Sequence, residues 1–144
     1  MGRLAEVYRR LPMWMAFILS AIIAWLLAFV VGLAGGIAGM YLYDRAQSKG
    51  DDFAVGLIGL HAVGTFVFIF VFSWLRKLHQ EISWRTPAFS LYFCLAGAAI
   101  TTLLSWANLD EHYLPIVSAG WIVILFCGLA GMLVSSRLFV GRQV

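Results

Sequence analysis

His61 is the only side chain inside the four long apolar runs of this sequence that titrates near neutral pH. A polar group buried in lipid is costly, so an intramembrane histidine marks a candidate functional site. Imidazole at such a site can relay a proton, contact a ligand, or bind a metal or haem. It can also be structural, a neutral ring bonded to a hydroxyl or carbonyl that locks two helices together. Thr101, Thr102 and Ser118 are the hydroxyls expected near its level. At helical rise, His61 lies about 12 Å from the outer end of its run, Thr101 about 8 Å and Ser118 about 6 Å from theirs. These four residues form the expected polar pocket.

The chemistry stops there. No carboxylate, lysine or arginine stands beside His61 at depth. Intramembrane catalysis needs a nucleophile with a base or a metal. No Ser/His/Asp set, phosphate loop, Cys-x-x-Cys or carboxylate pair can be assembled. Cys94 and Cys127 fall inside apolar runs, near enough in depth to touch, and read as small reduced thiols. His79 and His112 lie on opposite membrane sides. A membrane haem site usually wants two axial ligands, and this chain offers one at depth. No cofactor is expected, with haem ligation by His61 a minor alternative. The outer loops carry Asp44, Asp51, Asp52, Asp110, Glu111 and His112, but their spacing matches no calcium loop, so no metal site is expected. The chain reads as a non-enzyme.

The elements that position these residues follow from composition. Of 144 residues, 62% are hydrophobic and 12% charged, where a soluble domain carries about 25% charged. The apolar runs are Met13–Tyr43, Phe53–Leu75, Pro87–Trp106 and Leu114–Val134. Each reaches the about 20 residues a helix needs to cross a bilayer. None alternates as a barrel strand would, and lipid admits only helices or closed barrels. The expected fold is all-α, a polytopic four-helix transmembrane bundle joined by short loops in up-down-up-down order. The first run exceeds a signal-peptide core and reads as a retained span. Glu6 stands where a myristoylation signal wants Ser or Thr.

Charge sets the orientation. Arg3, Arg9, Arg10, Arg76, Lys77, Arg85, Arg137 and Arg142 share one side, while the other has Arg45 and Lys49 among acids. Positive charge marks the cytoplasmic face, so both termini are expected inside, in a cell inner membrane. The basic side favours anionic lipid headgroups, and nothing resembles a nucleic-acid motif. Trp14, Trp74 and Trp84 near one boundary and Tyr41, Tyr43, Trp106 and Tyr113 near the other form aromatic belts. Trp25 and Trp121 lie deeper, and each indole N–H wants a partner.

Three segments are expected: a cytoplasmic amphipathic stretch 1–12, a four-helix domain 13–136 and a basic tail 137–144. In the first, Leu4, Val7, Tyr8 and Leu11 follow one helical face. The first run would reach about 46 Å as helix, so it must tilt, protrude or bend, with Gly32, Gly35, Gly36 and Gly39 its weakest stretch. Leu75, Leu78 and Ile82 keep helical spacing beyond the second run, which is expected to continue inward before Pro87. Asp52 and either Asn108 or Asp110 are plausible helix caps. Gly32, Gly35, Gly36, Gly39, Gly56, Gly59, Gly64, Gly128 and Gly131 are the expected close-packing positions, within the bundle rather than between copies. Phe66, Phe68, Phe70 and Phe72 recur every second residue and fan around their helix. Some of them are expected to face lipid or an added subunit.

Gly35, Gly36, Gly39, Leu42 and Asp44, with Gly56 and Gly59, resemble the short glycine-rich hairpin of accessory membrane proteins from ATP-synthase operons. The resemblance covers under half of the chain, and two further helices depart from that two-span pattern. The leading expectation is a non-catalytic subunit or assembly factor of a larger membrane complex, with lipids and other subunits, or copies of itself, as partners. A small homo-oligomeric transporter or channel built around His61 is the alternative, and a haem-binding electron-transfer subunit the third.

Overall fold

The computed structural model describes residues 2–46, 52–79, 82–106 and 114–140. All of its regular structure is helical: α1 (Gly2–Arg9), α2 (Met13–Ala46), α3 (Asp52–His79), α4 (Arg85–Trp106) and α5 (Leu114–Phe139). The last four are long and apolar enough to cross a membrane. Each helix outruns or matches the run that foretold it. α2 passes unbroken through Gly32, Gly35, Gly36 and Gly39, and α3 continues to His79. Ile82 lies beyond the end of α3, yet it is buried. Pro87 sits in the first turn of α4, where a missing N–H costs nothing. α5 runs to Phe139, so the stretch expected to be a tail from residue 137 begins inside a helix. The side chain of Asp52, and all of Asn108 and Asp110, lie outside the described residues.

α3 is the hub. It packs against α1, α2, α4 and α5, and α4 also packs on α5. The contact with α2 is the most extensive. Its basis is a stripe on α2 with a four-residue period: Ala16, Ser20, Ala24, Ala28, Gly32 and Gly36, all buried. Small residues at that spacing let two backbones approach closely. A Cβ added to Gly36 would stand 2.7 Å from the Gly56 carbonyl oxygen, and one on Gly59 would stand 2.8 Å from that of Gly35. The two helices run antiparallel, with Gly32 against Leu60 and Ala28 against Gly64.

Toward the α1 end the stripe meets Phe68 and Phe72, which pack with Ala24 and Ala28. Phe17 of α2 closes this region edge-on against Phe72, centroids 5.5 Å apart. The other two phenylalanines turn to α5. Phe66 lies against Gly131, and Phe70 meets Phe139 at 5.1 Å. Phe68 and Phe72 are buried, Phe66 and Phe70 half-buried. Phe68 and Phe72 thus turn into the bundle, while Phe66 and Phe70 keep part of their surface exposed. A hub helix has neighbours on opposite faces, and a fan of aromatics is what such a helix needs.

α1 is docked rather than loose. The Tyr8 hydroxyl donates to the Ala16 carbonyl at 2.9 Å and also meets the Ser20 hydroxyl. The Arg9 Nε donates to the Leu78 carbonyl at 3.1 Å. His79 Nε2 donates to the Leu11 carbonyl at 2.9 Å, and the Tyr8 ring stands edge-on to the imidazole. Val7, expected on the apolar face, is exposed.

Candidate functional site

Three of the four expected pocket residues meet. A cavity of about 920 Å³ opens between the four long helices, lined by His61, Thr101 and Thr102. Trp25 and Phe29 of α2 bound it on one side, Phe93 and Gly97 of α4 on another, and Trp121 of α5 on a third. Its wall is mostly apolar, as small-molecule and cofactor sites usually are. Ser118 is not among the lining residues. It is exposed, and Val117 and Trp121, one helical turn apart on α5, face the cavity instead.

The histidine's position is fixed from both sides of the ring. Nδ1 lies 2.8 Å from the Leu57 carbonyl, one turn back on α3. A carbonyl only accepts, so Nδ1 carries the hydrogen and donates. Nε2 lies 3.1 Å from Thr101 Oγ1 on α4. In neutral His61, Nε2 therefore accepts from the Thr101 hydroxyl. That hydroxyl is also 2.9 Å from the Ala98 carbonyl, which Thr102 Oγ1 reaches at 2.9 Å as well. Thr102 can satisfy Ala98 while Thr101 serves the histidine.

The site thereby ties α3 to α4. It fits haem poorly. Nε2 is already engaged, and the lining holds no second histidine and no methionine. Among the described residues no three His, Cys, Asp or Glu side chains converge. The outer acids Asp51, Asp110 and Glu111, with His112 and the side chains of Asp44 and Asp52, lie outside what is described. Cys94 lines the cavity, and both cysteines are free and half-buried.

The expected packing glycines are accounted for by contacts within the chain. Gly35 abuts Val63, Gly56 abuts Met40, and Gly39 stands at ordinary distance from Val55. Gly128 meets Leu91 and Thr65. Gly97, not singled out from sequence, faces open space toward the cavity.

A second polar region was not foreseen. Ser20, Ser73, Ser90 and Ser135, one on each long helix, are fully buried. Gly32 against Leu60 sets Ser20 level with Phe72, and Thr101 against His61 sets Ser90 at the same height. Gly131 against Phe66, with Lys77 Nζ donating to the Leu138 carbonyl at 3.4 Å, brings Ser135 there too. Ser20 and Ser90 donate to the carbonyls of Ala16 and Thr86. One turn nearer α1, Arg76 is buried, 4% exposed. The signal was present: each apolar run carries a serine near its end toward α1, the last just past it.

No family model, curated protein or solved structure matches this chain.

Proposed function

We propose that this chain is a multi-pass protein of the cell inner membrane, with both termini cytoplasmic, acting as a non-catalytic subunit or assembly factor of a larger membrane complex. The cavity between α2 and α4 carries the reading. Protein interiors are close-packed, and this chain leaves a broad, aromatic-edged seam where its second and fourth helices diverge. An apolar helix or chain from the bilayer would complete the packing. Arg9, Arg10, Arg76, Lys77, Arg85 and Arg137 gather at the α1 end, which favours that end as the cytoplasmic one. Exposed Trp14 and Trp84 at the same end suit a headgroup boundary. Purification of the tagged chain in mild detergent tests the reading. A larger heteromeric species supports it, and a chain that remains alone or pairs only with itself counts against it.

A small transporter or channel is the second reading, favoured by His61 and Thr101 facing the same cavity. His61→Ala in liposomes separates the two. Loss of flux in a folded variant supports transport, and the absence of flux in the parent chain removes it.

A further inference from the structure

Among the residues whose side chains are described, Arg76 is the one buried charged side chain. Its guanidinium carbon lies 5.6 Å from the centre of the Phe17 ring, so one planar face rests on the aromatic. The N–H edge remains for other partners, and Nη1 is buried without one. The described carboxylate side chain nearest in sequence is Glu6, which pairs with Arg10 at 3.0 Å. The hydroxyls of Ser73 and Ser135 are likewise buried and unpartnered. Ser73 sits one turn before Arg76 on α3, and the α3/α5 register sets Ser135 level with Ser73. His79, one turn further, holds Nε2 on Leu11 and leaves a buried Nδ1 unpartnered.

These groups share one chemistry. A guanidinium and two hydroxyls are donors, and a buried cation calls for an anion. Tetrahedral phosphate suits a guanidinium edge better than a point charge does. A monoprotonated inorganic phosphate also brings a hydrogen for His79 Nδ1, which a phosphodiester headgroup does not. Arg76 stands about 5 Å from the end of α3 by helical rise, near the level of exposed Trp74 and beside Lys77.

We propose that Arg76, Ser73 and Ser135 form a recessed binding site for a phosphate group, from an anionic lipid headgroup or from a soluble phosphate. The site is independent of any partner at the α2–α4 cavity.

The test uses the full chain in phosphatidylcholine nanodiscs. Phosphatidylglycerol is added in one arm and inorganic phosphate in the other. Thermal unfolding is followed in both, with native-mass counting of retained lipid. Wild type should unfold several degrees higher with at least one arm, and Arg76→Gln should lose that shift while Arg137→Gln, on exposed Arg137, keeps it. A shift with phosphatidylglycerol alone identifies a lipid headgroup, and a shift with inorganic phosphate identifies a soluble anion. Should Arg76→Gln fail to fold, the Ser73→Ala/Ser135→Ala pair replaces it and should weaken apparent affinity by at least about threefold, around 0.65 kcal/mol by the tenfold-per-1.4 rule. No shift in either arm, or equal loss in Arg76→Gln (or the serine pair) and Arg137→Gln, overturns the proposal.

Discussion

Thr101 Oγ1 stands 3.1 Å from His61 Nε2, and this contact joins α4 to the hub helix α3. It makes the histidine of the cavity wall a cross-helix tie. Hydrogen bonds between helices in lipid average about 0.6 kcal/mol. Thr101→Val should therefore destabilise the protein by about that amount in reversible unfolding from mild detergent. Thr102→Val should cost less at this junction, because Thr102 bonds within α4. Equal effects of the two variants would show that the tie to His61 contributes nothing.

The α2–α3 contact predicts a sharper contrast among glycines. A Cβ on Gly36 would meet the Gly56 carbonyl oxygen at 2.7 Å, and that backbone cannot yield. Gly36→Val should cost about 1–3 kcal/mol or more through overpacking. Gly97→Ala meets nothing within 4 Å and should stay within about 0.5 kcal/mol of wild type. Thermal unfolding of both in one detergent checks the pair.

Much of this architecture was legible in sequence, and the reason is locality. Span length and hydropathy are properties of a segment, so the four long helices and the extension of α3 could be read directly. His61, Thr101 and Thr102 could be grouped because distance from a helix end is also local. Ser118 failed the same test, since depth says nothing of azimuth and Val117 and Trp121 hold the inward face. Which phenylalanines of the fan turn inward was not legible, because sequence does not reveal that α3 has neighbours on opposite faces. Burial of Arg76 was not legible for a related reason: only tertiary packing, with Phe17 against the guanidinium, removes that charge from the surface. The six-residue ridge from Ala16 to Gly36 was visible at its glycine end alone, because alanine in an apolar run draws no notice.

Docking of α1 rests on a hydroxyl. Tyr8→Phe removes the bond to Ala16 and the contact with Ser20 while keeping the ring beside His79. A net loss of about 1 kcal/mol is expected. It should be confined to residues 2–12 and read as faster amide exchange there. Unchanged exchange would mean that the ring, not the hydroxyl, holds α1.

Orientation has its own check. A fluorescent protein that folds only in the cytoplasm should report signal when fused after Val144 and none when inserted within residues 47–51. The reverse pattern would invert the assignment drawn from the basic α1 end.

The central claim is that a membrane partner completes the seam between α2 and α4. Gly97 offers the direct test, because it lines the cavity and a Cβ added there meets nothing within 4 Å. Native mass measurement of tagged wild type and Gly97→Trp, purified in the same mild detergent, compares the two. The account predicts a larger heteromeric species for wild type and its loss in Gly97→Trp, with the isolated chain still folded. A heteromer of undiminished mass and yield in Gly97→Trp, or none in either, would contradict it.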